Sequence, residues 1–245
     1  MARKTFLGLE ELKHEGTLWR CMIAEFLGTL LLVFIATGGC TLWGNIPRTP
    51  AQVAFVNGFT VMALITALGH VSGCQINPAV SICFLISGHN TLIRTLLFIP
   101  VQLFGATVGS LIVKYVTPEY LQGTLCTTSI HPALTPFQGV LTEAIATFVL
   151  LLVVQATSDE ERLLELGDKG PLAVGLAVTT DVLWSNEYTG ASMNPARSSG
   201  PALASNTLEG LWIYWVGPIL GGIAATLLYM YVFKTPEEKE ELKIT

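Results

Sequence analysis

A chain of 245 residues that is 51% hydrophobic and only 13% charged, with a mean hydropathy of +0.57, carries too little charge to cover one or two soluble domains and reads as a bilayer protein. The formal net charge of -5 implies neither a cationic partner nor nucleic acid, because seven of the eighteen acids (Glu10, Glu11, Glu15, Glu237, Glu238, Glu240, Glu241) sit in the two tails. Five cysteines without CxxC spacing and four scattered histidines supply no metal site, and nothing calls for a cofactor.

Residues 1–20 mix Arg3, Lys4, Lys13 and Arg20 with acids and form no apolar run, so no cleavable leader is expected and the first span anchors itself. Segments of about 20 apolar residues cross a bilayer as helices. Six qualify, at 19–39, 51–69, 92–115, 138–157, 171–186 and 209–233. Two shorter apolar runs, 77–87 and 194–204, are too short to cross. Inside the spans, Gly105 and Gly109, and again Gly217 and Gly221, set small residues one turn apart, which lets neighbouring backbones approach closely.

A cytoplasmic N-terminus puts Arg3, Lys4, Lys13, Arg20, Arg94, Arg162, Lys169, Lys234, Lys239 and Lys243 inside and leaves only Arg48, Lys114 and Arg197 outside. The positive-inside tendency then fixes the orientation, with both termini cytoplasmic. The chain divides into a tail (1–20), a first repeat (21–116), an outer linker (117–137), a second repeat (138–233) containing a cytoplasmic linker (157–170), and a second tail (234–245). Ser158, before three acids, is read as part of a plain polar loop. Cys40 and Cys126 would pair only if both lie outside. Buried or free cysteine is the commoner state in membranes, so the cysteines are read as unpaired.

The two repeats are visible in register. Asn77-Pro78-Ala79 within GHVSGCQINPAVSI (69–82) recurs as Asn194-Pro195-Ala196 within NEYTGASMNPARSSGPA (186–202), an offset of 117 shared by Gly58 and Gly175 and by Gly73 and Gly190. One such tripeptide arises by chance at a rate on the order of 10⁻⁴ per position, so a register-matched pair is strong evidence of duplication. Proline suits the first helical position and asparagine suits the cap, so each tripeptide opens a half-helix. With an odd number of spans per repeat the repeats are inverted, and the two half-helices meet near the midplane, N-termini facing. The asparagine amides, with two donors each, bind the oxygen of a passing neutral molecule, while the facing half-dipoles repel cations and orient water against proton transfer. Glu25 and Glu143 correspond across the repeats. A carboxylate at that depth must be satisfied internally, and both are read as structural braces for the loops rather than as a proton relay, which would need further acids along a path.

GHVSGCQINPAV, YTGASMNPARS and WVGP together resemble the aquaporin (major intrinsic protein) family, over nearly the whole chain from Ala24 to Pro218. The resemblance implies an all-α membrane fold of six transmembrane helices plus two re-entrant half-helices, one pore per subunit, a homotetramer, and a plasma-membrane location. It also implies an outer selectivity filter of Asn57, Val182, Ala191 and Arg197. Gln75 stands where many members have histidine, after a cysteine in place of alanine. Water-specific members usually have phenylalanine and histidine where this chain has Asn57 and Val182, so both narrowing rings are missing. Ser198, Ala202, Tyr214 and Trp215, by contrast, are of the water-channel type. The combination is similar to the insect glycerol-conducting branch derived from water channels.

The expected function is therefore a passive channel for water and small neutral solutes such as glycerol and urea that excludes protons and ions. The alternatives are a water-selective channel, an ion channel, a structural junction protein, and an intramembrane hydrolase using Ser192 or Ser72 with His70. The last lacks a nucleophile elbow and a second histidine in a matching span. Cys74 is a candidate mercurial site. Asp181 is expected at the outer mouth, positioning Arg197 or a loop amide, or else solvated at a helix end.

Overall fold

Thr49 and Thr135 open two long helices in the same way. Each hydroxyl accepts from the N–H three residues on (Gln52, 3.2 Å; Gln138, 3.3 Å), the glutamine carbonyl accepts from the threonine N–H (3.0 and 2.8 Å), and a proline fills the first helical position. These capping boxes satisfy amides that would be orphaned at a membrane boundary. The computed structural model describes residues 6–12, 17–41, 48–159, 162 and 167–234. Among them it holds nine α-helices and no strand: α1 Leu18–Cys40, α2 Pro50–Ser72, α3 Pro78–Ile86, α4 Leu92–Val116, the short α5 Glu119–Gln122, α6 Pro136–Ser158, α7 Gly170–Thr189, α8 Pro195–Ser205, and α9 Ile213–Leu228, which continues as a π-turn to Phe233. Residues 1–5 and 13–16 of the first tail, residues 42–47, residues 160–161 and 163–166 of the linker 157–170, and residues 235–245 of the second tail lie outside the described residues.

Among the described residues five helices are long and apolar enough to cross a membrane: α1, α2, α4, α6 and α9 with its extension. The expected fifth span, at 171–186, is a helix of 20 residues but falls below that hydropathy. Thr179, Thr180, Asp181, Ser185, Asn186 and Glu187 dilute it. It packs on α2 and α6, with Leu172, Leu176 and Leu183 on its exposed side. The last helix begins at Ile213, not 209, because the chain turns through Leu208–Ile213 first.

Small residues decide which helices touch. A Cβ on Gly105 or Gly109 would collide with the carbonyls of Phe26 or Leu30, and one on Gly217 or Gly221 would collide with those of Val140 or Ala144. Thus α4 lies against α1 and α9 against α6, the same contact in each half. Between the halves, Gly58 of α2 meets the carbonyl of Gly175 in α7, and Gly175 meets that of Gly58.

The polar ends segregate. At one end Arg94 pairs with Glu11 at 2.9 Å, Leu92 N–H donates to the Phe6 carbonyl, and His89 reaches the Ser158 carbonyl. At the other, Lys114 Nζ donates to the Ala204 carbonyl at 2.9 Å. Here the reading of the cysteines is corrected. Cys40 at the end of α1 and Cys126 in the segment between α5 and α6 form a disulfide, whereas Cys21, Cys74 and Cys83 are free and buried. The two cysteines are 86 residues apart in sequence, so no local spacing could announce the pair.

Candidate functional site

The two Asn-Pro-Ala segments start their half-helices as local chemistry dictates. Asn77 Oδ1 accepts from Ala79 N–H at 2.9 Å, Asn194 Oδ1 accepts from Ala196 N–H at 2.9 Å and Arg197 N–H at 3.2 Å, and each proline stands at the first helical position. The asparagines then reach across. Asn77 Nδ2 donates to the Met193 carbonyl at 2.9 Å and Asn194 Nδ2 to the Ile76 carbonyl at 2.8 Å. Each amide has thus spent its acceptor and one of two donors on protein, which leaves the second donor for a molecule in the cavity.

The approach to each asparagine is bent by left-handed residues: Gly73, Cys74 and Ile76 (φ 87, 45 and 44°) and, 117 positions later, Gly190, Ala191 and Met193 (φ 79, 49 and 54°). Such conformations cost roughly 1–3 kcal/mol at non-glycine residues and persist only where surroundings impose them. What imposes them here is Glu25 and Glu143. Glu25 Oε1 accepts from Ser72 Oγ (2.6 Å) and Gln75 N–H (2.8 Å), and its Oε2 accepts from Ile76 N–H (2.7 Å) and Gln102 Nε2 (2.8 Å). Glu143 Oε1 accepts from Thr189 Oγ1 (2.6 Å) and Ser192 N–H (3.0 Å), and its Oε2 from Met193 N–H (2.8 Å). Both oxygens of each buried carboxylate accept hydrogen bonds, four at Glu25 and three at Glu143, from donors that come mainly from the loop of its own half.

A cavity of about 770 Å³ runs along both loops, from Ser158 and Asp168 at one end, between Val80, Val154 and Val174, past Asn77 and Asn194, to Asn57, Ala191 and Arg197. It is walled by apolar side chains with a line of convergent polar groups, the usual build of a small-molecule passage. Arg197 is only 5% exposed, and its Nη1 donates to the Cys126 carbonyl at 3.1 Å.

The family model for Major intrinsic protein matches residues 11–229. The chain is 39% identical over 219 residues to the lens fiber major intrinsic protein of Oryctolagus cuniculus, covering 89% of this chain and 83% of that one. It belongs to the aquaporin, or major intrinsic protein, family. It is also 38% identical over 213 residues to Aquaporin-2 of Rattus norvegicus, covering 87% and 78% of the two chains. An X-ray structure of the aquaglyceroporin from Plasmodium falciparum superimposes with a TM-score of 0.79 over 88% of this chain and 96% of that one. At 24% identity that likeness speaks for the fold alone.

As an aquaporin-family member this is an integral membrane channel and not an enzyme. The serines of the hydrolase reading are otherwise engaged: Ser72 Oγ donates to Glu25, and Ser192 Oγ to the Asn194 carbonyl at 2.9 Å. Of the four residues expected at an aquaporin filter, Asn57, Ala191 and Arg197 line the cavity. Val182 does not: at 1% exposure it belongs to the buried apolar cluster that also holds Ala191, Met193 and Val178. The Asn57 amide donates to the Val53 carbonyl of its own helix at 2.8 Å rather than bridging to Arg197 or Asp181.

The expected place of Asp181 is corrected. It lies in the interior of α7, 1% exposed, with Oδ1 accepting from Trp184 Nε1 at 3.0 Å; it is neither at a solvated helix end nor bonded to Arg197. The polar run after it reads as a mouth, but Ser185 Oγ folds back onto the Asp181 carbonyl and keeps the helix going. Cys74 belongs to the cavity wall and to an apolar cluster with Leu32, Leu64 and Ile76.

Three partners escaped the sequence reading. Gln75 and Asn90 exchange reciprocal amide hydrogen bonds (2.8 and 2.9 Å), tying the first loop to the turn after α3. Gln102 reaches Glu25 and Ser81. Tyr214 Oη donates to the Thr189 carbonyl at 2.8 Å. Gln75 carried a signal as a departure from the family pattern and Tyr214 as a water-type residue, but neither signal pointed to the partner.

Proposed function

We propose that this channel passes water together with small uncharged solutes, glycerol and urea among them, and excludes protons and ions. The observation that carries the reading is the outer constriction. We read it as the end of the cavity lined by Ala191, an Asn57 whose amide is turned back on its own helix, and Arg197, with Val182 in the apolar cluster that holds Ala191, and none of these four carries an aromatic or imidazole ring. A polyol needs hydroxyl partners on one side and an apolar wall on the other, and Arg197 facing these side chains supports that. Asn77, Asn194 and Arg197 supply the positive potential against cations. Glu25 and Glu143 serve as braces, since each carboxylate holds the backbone N–H groups of its own loop with both oxygens. The repeats are 21–116 and 138–233, joined by the outer linker 117–137. Both termini and the 157–170 linker are cytoplasmic, and the protein works in the plasma membrane as a homotetramer with one pore per subunit. A disulfide on the Cys40 face supports that orientation, because disulfides persist in oxidising compartments.

A water-selective channel is the second reading, favoured by Tyr214 and Trp215, which tie α9 to the second loop through the Thr189 carbonyl and Ser199 Oγ as water-type residues. Parallel shrink–swell measurements on vesicles with water, glycerol and urea separate the two. Water flux without glycerol or urea flux sinks the polyol reading.

A further inference from the structure

The hydrogen bond that orients Arg197 ends on a residue that is itself covalently tethered. Cys126 provides the carbonyl that accepts from Arg197 Nη1 at 3.1 Å, and the same residue is disulfide-bonded to Cys40, with Cα atoms 6.1 Å apart. Its backbone is not relaxed. Leu125 and Cys126 are consecutive non-glycine residues in the left-handed region, with φ of 52 and 56°, a conformation costing about 1–2 kcal/mol per residue. Something must hold it. On one side Leu125 seats between Val113 and Ala204. On the other, Thr128 Oγ1 bonds Ser198 Oγ at 2.6 Å and His131 N–H donates to the Tyr188 carbonyl at 2.8 Å. These anchors flank Cys126, and among the described residues it is the disulfide that fixes Cys126 itself to a membrane-spanning helix. Both cysteines are partly exposed and so within reach of a reductant.

We propose that the Cys40–Cys126 disulfide is a specificity-determining element of the channel. By holding the Cys126 carbonyl it holds the Arg197 guanidinium across the cavity, and reducing it lets the arginine move and changes discrimination between water and larger neutral solutes. The step balances as thiol–disulfide exchange. A dithiol gives two electrons and two protons, the S–S bond becomes two cysteine thiols, and the dithiol becomes a disulfide. The proposal rests on the reading of Arg197 as a filter residue.

The test uses the full chain in vesicles, with glycerol and water permeabilities measured by light scattering before and after dithiothreitol, and reduction verified by maleimide labelling from outside. The expected result is a change of roughly 2- to 10-fold in the glycerol-to-water ratio, the factor that accompanies one net hydrogen bond. Cys40→Ser should reproduce it without reductant and then ignore reductant, and Arg197→Ala should abolish the response. Verified reduction with an unchanged ratio, while Arg197→Ala does change it, overturns the disulfide's role and leaves the filter reading intact. An unchanged ratio in Arg197→Ala defeats the filter reading instead. An equal response to reductant with and without Arg197 overturns the route through the arginine. Should the disulfide resist reductant, Cys40→Ser and Cys126→Ser carry the same comparison.

Discussion

Glu25 and Glu143 make different numbers of hydrogen bonds, four against three, and a count would make Glu25→Gln the more damaging change. The geometry says otherwise. In either variant the new carboxamide keeps one oxygen and turns an NH₂ toward what Oε2 used to accept. At position 143 that leaves the Met193 N–H unpaired. At position 25 it faces Ile76 N–H and Gln102, but the Gln102 Oε1 has no partner. Turning the Gln102 amide over offers that oxygen to the new NH₂, and the Ser81 hydroxyl, now 3.0 Å from Nε2, donates in its place. Each variant therefore strands one buried backbone N–H. Such a loss costs about 1–3 kcal/mol, which at ~2–4 °C per kcal/mol for a chain of this length is a fall in Tm of roughly 2–12 °C. Thermal unfolding in detergent, followed with a thiol-reactive dye that reports exposure of the buried Cys21, Cys74 and Cys83, should give equal falls for the two variants. A fall for Glu25→Gln about twice that of Glu143→Gln, or no fall in either, would refute the argument.

Val182→His puts a longer side chain into a buried, closely packed site, so the ring should be pushed into the cavity, abolish glycerol flux and spare water; stopped-flow assays in vesicles measure both, and persistent glycerol flux counts against the steric account. Cysteine labelling from outside should reach an engineered site on Glu119 and miss one at Ser158, and the reverse pattern would invert the orientation. Mercurial inhibition of water flux should vanish in Cys74→Ser, because only Cys74 among the free cysteines belongs to the cavity wall; inhibition that survives the substitution places the reactive thiol elsewhere.

The parts of this molecule that were legible in the sequence are those decided by neighbours in the chain. Asn-Pro-Ala specifies its own cap and first turn within three residues, and a 117-residue register displays the duplication without any knowledge of distance. The small pairs Gly105/Gly109 and Gly217/Gly221 announce close helix contacts because only glycine admits the facing carbonyls. What was missed depends on residues far apart in sequence: Cys40 with Cys126, Gln75 with Asn90, Gln102 with Glu25. Asp181 shows the limit of local reading. A polar run suggests exposure, yet the run lies inside α7, where Trp184 Nε1 donates to Asp181 Oδ1 and Ser185 Oγ to the Asp181 backbone carbonyl, while Oδ2 is buried without a partner among the described residues.

The crossed asparagine bonds also set a timetable. The Asn77 amide donates to a carbonyl 116 residues further along the chain, so while the protein is being synthesised the first loop waits for the second half to emerge. At about 5–20 residues per second that wait is on the order of ten seconds. Throughout it the first half must carry, inside or beside the translocation machinery, an amide that lipid cannot satisfy. The passage is then the last thing to form: neither half encloses it, and it closes only when both nascent loops can exchange their bonds.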